Sequence, residues 1–133
     1  DEKSQIQEFI NIHKGAGVQH IALLIPDIIK TMEAVRADAD NNIDFLTIPD
    51  TYYEIVPKRI QIREPWEKLE KLRILADKDP QGGGYLLQIF TQTLFGGFFF
   101  ELIQREGNEG FGEGNFRSLF ESMELDQKRR GVL

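Results

Sequence analysis

Polar and apolar residues alternate near the start of the chain. SQIQEF, residues 4–9, predicts a strand with Ile6 on one face and Gln5 and Gln7 on the other. NIHKGAG reads as a loop. GVQHIALLI, residues 17–25, is rich in β-branched and aliphatic residues and stops at Pro26, which predicts a buried strand. Asp27 is placed to cap a helix in which Ile28, Ile29, Met32 and Val35 keep helical spacing, and that helix ends in the polar DADNN cluster. IDFLTI, residues 43–48, predicts the next strand, closed by Pro49 with Asp50 as a cap. TYYEIV then predicts a short helix that Pro57 kinks or ends.

Further on, KLRILAD (71–77) and YLLQIFTQT (85–93) predict two strands joined by KDPQGGG, whose glycines supply the positive φ angles that tight turns need. FFFELIQR (98–105) predicts another strand, set off by Gly96 and Gly97. From Asn115 an amphipathic helix follows, with Phe116, Leu119, Phe120 and Met123 on one stripe. Lys128, Arg129 and Arg130 complement its negative end and Gly131 stops it. The order is a strand, a helix, then four strands or fewer and a closing helix; without the first strand and the last helix the middle reads as β-α-β-β-β, an α+β pattern.

Composition narrows the class. At 133 residues, 41% hydrophobic and 29% charged, the chain is one globular domain able to bury a core. Its net charge of −6 argues against nonspecific binding to nucleic acid or an anionic membrane. The absence of cysteine excludes disulfides and thiolate metal sites and fits a reducing, cytoplasmic setting. No apolar run approaches the roughly 20 residues of a membrane-spanning helix. An opening on Asp-Glu-Lys and an ending on Gly-Val-Leu are expected of a piece of a longer polypeptide.

The candidate chemistry centres on Glu101. This acid stands among Phe98, Phe99, Phe100, Leu102 and Ile103, and an unpaired buried carboxylate costs several kcal/mol. A metal, a cation, a proton or open solvent can balance it. His20 sits in a strand of otherwise apolar residues, where a histidine is either a hydrogen-bonded core residue or a ligand. Together the two supply part of a two-histidine, one-carboxylate iron site, which needs one more histidine. His13, beside Lys14 in a loop, is the other histidine available. Gln5, Gln19, Gln88 and Gln104 fall within or beside predicted strands, and Gln88 shares a face with Leu86 and Phe90. GNEGFGEGN matches neither G-x-G-x-x-G nor the P-loop, and Glu109 and Glu113 would repel phosphate. It reads as a loop that positions Phe111 and Phe116, or as a linker.

GVQHIAL, DTYY, LLQIF, FFELIQR and GFGEGNFRSLFES...DQKRRG, in that order, resemble the C-terminal part of the 4-hydroxyphenylpyruvate dioxygenase family, of the vicinal-oxygen-chelate type. The short TQTLFGG joint resembles the bacterial version. The resemblance implies a βαβββ module of an open barrel with a closing helix. Residues 1–133 would be the end of the catalytic domain, with the upstream module and an N-terminal domain absent. It also implies an Fe(II)-dependent reaction of 4-hydroxyphenylpyruvate and O2, giving homogentisate and CO2.

By motif, His20 and Glu101 are implied as metal ligands, with the first histidine ligand upstream of Asp1; His13 does not match it. Gln5, Gln88, Phe90, Phe111, Asn115 and Phe116 are implied around the substrate, with Phe111 and Phe116 enclosing its ring. Ser4, Gln19 and Gln104 are implied behind them, and Leu119 as closing the cavity. A homo-oligomer is expected. Hydroxymandelate synthase, which acts on the same substrate, is a second reading. A noncatalytic fragment of the same fold that dimerises is a third.

Overall fold

The computed structural model describes residues 5–79 and 81–131. Helix α1 (Gln5–His13) leads into strand β1 (His20–Leu24) and helix α2 (Ile28–Ala37). After an irregular stretch come α3 (Tyr52–Ile55), a 3-10 turn (Val56–Lys58) and α4 (Trp66–Leu72). Strands β2 (Leu75–Lys78), β3 (Tyr85–Phe90) and β4 (Phe99–Glu106) follow, and α5 (Glu113–Arg130) ends the described chain. The sheet order is β1-β4-β3-β2. β1 runs parallel to β4, and the other pairs are antiparallel. The β-α-β-β-β order therefore holds, and the four-stranded sheet stays open.

One sheet face is buried by helices. Ala76, Leu87, Ile89 and Leu102 pack with Ile28 and Met32 of α2, Leu69 and Leu72 of α4, and Tyr53 and Val56 beyond. Full burial of each large aliphatic side chain contributes about 1.5–3 kcal/mol. The start of α2 is built as its sequence predicts, with Asp27 Oδ1 accepting the Lys30 amide at 3.0 Å. At the far end of α5, Gly131 takes the left-handed conformation, φ +74°, after Lys128, Arg129 and Arg130.

Several expected elements differ. SQIQEF is not a strand: from Gln5 onward it is the first turn of α1, and six alternating residues are too few to separate the two periods. Phe9 is the buried residue of that helix. GVQHIALLI forms only β1, and all five of its strand residues are exposed rather than buried. The strand lies at the sheet edge, beside β4.

IDFLTI makes one antiparallel bridge, Phe45 to Thr91, because β2 already pairs residues 85–88 of β3. Asp50 caps nothing with its side chain, which instead accepts from Arg73. KLRILAD is split. Leu69 and Leu72 bury one stripe of α4, Arg73 closes it in the left-handed conformation (φ +60°), and β2 starts at Leu75. The last helix begins at Glu113 instead of Asn115, and within its predicted stripe the side chains of Phe120 and Met123 lie outside the described residues.

Candidate functional site

The sheet face turned away from α2 and α4 collects the polar residues. Register sets Glu101 of β4 opposite Ala22 of β1 and Phe90 of β3. Side chains alternate along a strand, so His20, two residues before Ala22, and Gln88, two before Phe90, share the face of Glu101. Edge strand β1 thus brings His20 Nε2 to 3.4 Å from Glu101 Oε2. The imidazole stacks on Phe99, with ring centroids 4.9 Å apart and planes 9° from parallel.

The second nitrogen and the second oxygen are already engaged. His20 Nδ1 lies 3.1 Å from Gln19 Oε1, an acceptor, which leaves Nε2 as the ring nitrogen facing the carboxylate. Gln88 Nε2 donates to Glu101 Oε1 at 2.9 Å. Nε2 and Oε2 face each other across 3.4 Å, a spacing that a proton or a shared cation bridges. Donors bonded at about 2.1 Å to one divalent ion, at right angles, stand about 3 Å apart, close to this spacing. The donor set fits a divalent ion, and among the described residues no third His, Cys, Asp or Glu joins the pair. His13 is elsewhere, stacked on Phe9 within α1.

Glu101 is buried, at 5% of its free exposure, while His20 stays exposed. Burial raises the carboxyl above the usual carboxylate range; the Gln88 hydrogen bond, His20 and Arg105 pull the other way.

Behind Gln88 runs a line of side-chain hydrogen bonds. Asn115 Nδ2 donates to Gln88 Oε1 at 2.6 Å, and the Tyr52 hydroxyl donates to Asn115 Oδ1 at 2.5 Å. Tyr52, Gln88 and Asn115 are all buried to 2% exposure or less. The start of α5 is held over β2 by Asp77, whose carboxylate accepts the Gly114 amide at 2.9 Å. Gly112 has φ +76°, and a Cβ there would collide with the Gln88 amide. Arg105 Nη1 gathers the loop through the carbonyls of Asn108 (2.8 Å) and Gly110 (2.6 Å).

The remaining candidates spread outward. Phe90 is half-buried beside Glu101 and meets Phe99 edge-on. Phe111 and Phe116 flank the Gly112–Asn115 corner but are exposed, at 77% and 48%. Leu119 packs against the core cluster. Gln5 begins α1, its side chain outside the described residues, as is Ser4.

Gln104 is a correction. An odd offset from Glu101 puts it on the opposite sheet face, where its Oε1 accepts the Ile28 amide at 2.8 Å and caps α2. Tyr52, Gly112 and Arg105 were not among the expected site residues. Only the glycine carries a local signal, a Gly between two large residues of a loop.

Known proteins resemble this chain along its length. The chain is 54% identical over its full length to 4-hydroxyphenylpyruvate dioxygenase of Pseudomonas aeruginosa, of which it covers 37%. It is 47% identical over 99% of its length to the Neurospora crassa enzyme of that name, of which it covers 33%. Along its whole length this chain is homologous to 4-hydroxyphenylpyruvate dioxygenases. It spans little more than a third of the curated relatives it matches.

A Vibrio vulnificus protein named Hemolysin VllY is 56% identical over the same span. Among solved structures, a substituted 4-hydroxymandelate synthase from Streptomyces coelicolor superposes with a TM-score of 0.66. The two are 39% identical over 93% of this chain and 35% of that one. A fusion of a xylose isomerase-like barrel with a 4-hydroxyphenylpyruvate dioxygenase gives a TM-score of 0.67 at 28% identity, over 91% of this chain and 20% of that one. No family model matches. Like these dioxygenase-related folds, the chain is α+β. No helix among the described residues is long and apolar enough to cross a membrane.

Proposed function

We propose that this chain is the C-terminal portion of a cytoplasmic 4-hydroxyphenylpyruvate dioxygenase, its final βαβββ module with the closing helix. The whole enzyme converts 4-hydroxyphenylpyruvate and O2 to homogentisate and CO2 in tyrosine and phenylalanine catabolism. His20 and Glu101 are two of three protein ligands to Fe(II), and the third, a histidine, belongs to an upstream module. The observation that carries this reading is the pair His20 Nε2 and Glu101 Oε2, 3.4 Å apart, each left free because its sister atom already has a partner.

Bound Fe(II) supplies the activation of dioxygen and the redox chemistry. The chain's own residues hold and orient. Glu101 lends one oxygen and one negative charge, and His20, fixed by Phe99 and Gln19, lends a ring nitrogen. Gln5, Gln88 and Asn115 supply amides to the substrate's polar groups. Phe90, Phe111 and Phe116 supply apolar surface for its ring. Phe111 and Phe116, exposed here, are in place to close over that ring when substrate arrives, which keeps water out and limits the ring's orientation.

The test uses a protein of the relatives' length that contains this chain. Homogentisate should form, and Glu101→Ala and His20→Ala should each abolish both iron retention and product. Hydroxymandelate as the sole product would replace the dioxygenase by a hydroxymandelate synthase, a second reading favoured by the fold match at 39% identity. Residues 1–133 alone should consume no oxygen with the 2-oxo acid and Fe(II). Uptake that Glu101→Ala removes would overturn the assignment of a third ligand upstream.

A further inference from the structure

Tyr52 stands where α3, the outer edge of β2 and the first turn of α5 meet, with no exposed surface. Ala76 turns its amide and carbonyl outward from the sheet edge. The amide donates to the Tyr52 oxygen at 3.0 Å, and the carbonyl lies 3.1 Å from it. The phenol has one proton to give, and Asn115 Oδ1 is the nearer acceptor at 2.5 Å. Burial raises the phenol far above its ordinary range, so that proton stays in place.

Once the hydroxyl donates to Asn115, the polarity of everything beyond is determined. Asn115 must present Nδ2 to Gln88 Oε1, and Gln88 must present Nε2 to Glu101 Oε1. An amide turned the other way would set Gln88 Oε1 against Glu101 Oε1, two acceptors at hydrogen-bond distance. The backbone of β2 therefore specifies, through three side chains, which carboxylate oxygen is occupied and which is free.

We propose that Tyr52 is a positioning residue for the metal centre, orienting the Asn115 and Gln88 amides so that Glu101 offers a single oxygen, Oε2, toward His20. This rests on the reading of His20 and Glu101 as metal ligands. Nearby Tyr53 supplies the control. It too is buried, and its hydroxyl donates to the Ile74 carbonyl at 3.0 Å; its ring meets that of Tyr52 edge-on, but its hydroxyl stands outside the hydrogen-bonded line.

The test compares Tyr52→Phe with Tyr53→Phe in the 133-residue chain. One readout is the side-chain amide 1H–15N signals of Gln88 and Asn115; the other is Co(II) affinity by titration. Tyr52→Phe should shift both amide signals toward those of solvent-exposed amides and weaken Co(II) binding about ten-fold, the lower end for outer partners of a metal ligand. Tyr53→Phe should do neither. Equal effects from the two variants, or an unmoved Gln88 amide in Tyr52→Phe, would overturn the proposal.

Should Tyr52→Phe not fold, Asn115→Leu cuts the same line one step on and must release the Gln88 amide with Tyr52 intact. A Gln88 amide unmoved there equally refutes the idea. Glu101→Gln separates the two levels of inference. Undiminished Co(II) binding in that variant removes the metal-site reading, while the amide signals still decide the role of Tyr52.

Discussion

Gly112→Ala tests how tightly the glycine-rich loop is coupled to the buried amides. Gly112 holds φ +76°, where an alanine side chain crowds its own backbone at about 1–2 kcal/mol. Its added Cβ would also run into the Gln88 amide, which is fully buried and bonded to both Glu101 and Asn115. Displacing that amide forfeits two buried hydrogen bonds, about 1 kcal/mol each. Together these terms come to about 3–4 kcal/mol, a large part of the roughly 5–15 kcal/mol that holds a typical domain.

Gly131 is the internal reference. Its φ of +74° is nearly the same, yet a Cβ there meets nothing within 4 Å. Gly131→Ala should therefore cost only the backbone part, about 1–2 kcal/mol. Urea unfolding of both variants, followed by circular dichroism, gives the difference directly, about 2 kcal/mol by this reasoning. If Gly112→Ala loses no more than Gly131→Ala, the loop does not press on Gln88 and the coupling is wrong.

Three other expectations are as direct. Leu87→Ala, at a fully buried position of β3, should lower the unfolding free energy by about 2–5 kcal/mol in the same urea assay. Arg105→Ala removes the grip on the Asn108 and Gly110 carbonyls, and limited proteolysis should then cut within residues 107–112 faster than in the unaltered chain. Asp77 has its carboxyl raised above 3.8, chiefly by burial, against the pull of the Gly114 and Lys78 amides. A raised acid favours folding below its unfolded value, and that contribution is lost as pH rises through the folded value. Asp77→Asn keeps an acceptor for Gly114, so it should be the more stable protein in urea at pH 7, with the gain gone near pH 3.

Where a local rule suffices, the sequence is a reliable guide. Asp27 before Ile28, Ile29 and Met32 specifies a capped helix because the cap and the apolar stripe lie within a few residues of each other. Gly131 after three cations stops α5 for the same reason. The even spacing of Leu86, Gln88 and Phe90 places the three on one face whatever the partners of that strand. Glu101 among phenylalanines announced a carboxylate in need of a partner, and residue motifs alone pointed to the dioxygenases.

The rest depended on which surfaces meet. SQIQEF suits either period over six residues, and packing of Phe9 rather than alternation decided for a helix. IDFLTI has the composition of a strand but found the edge of β3 already paired with β2. β1 is apolar yet exposed along its whole length, since burial belongs to the neighbours of a strand and not to its residues. Strand pairing alone set His20 beside Glu101, 81 positions away in the chain, and put Gln104 on the opposite face. Tyr52 joined the site only through the meeting of α3, β2 and α5, because a hydrogen bond between distant segments leaves no periodicity in the sequence.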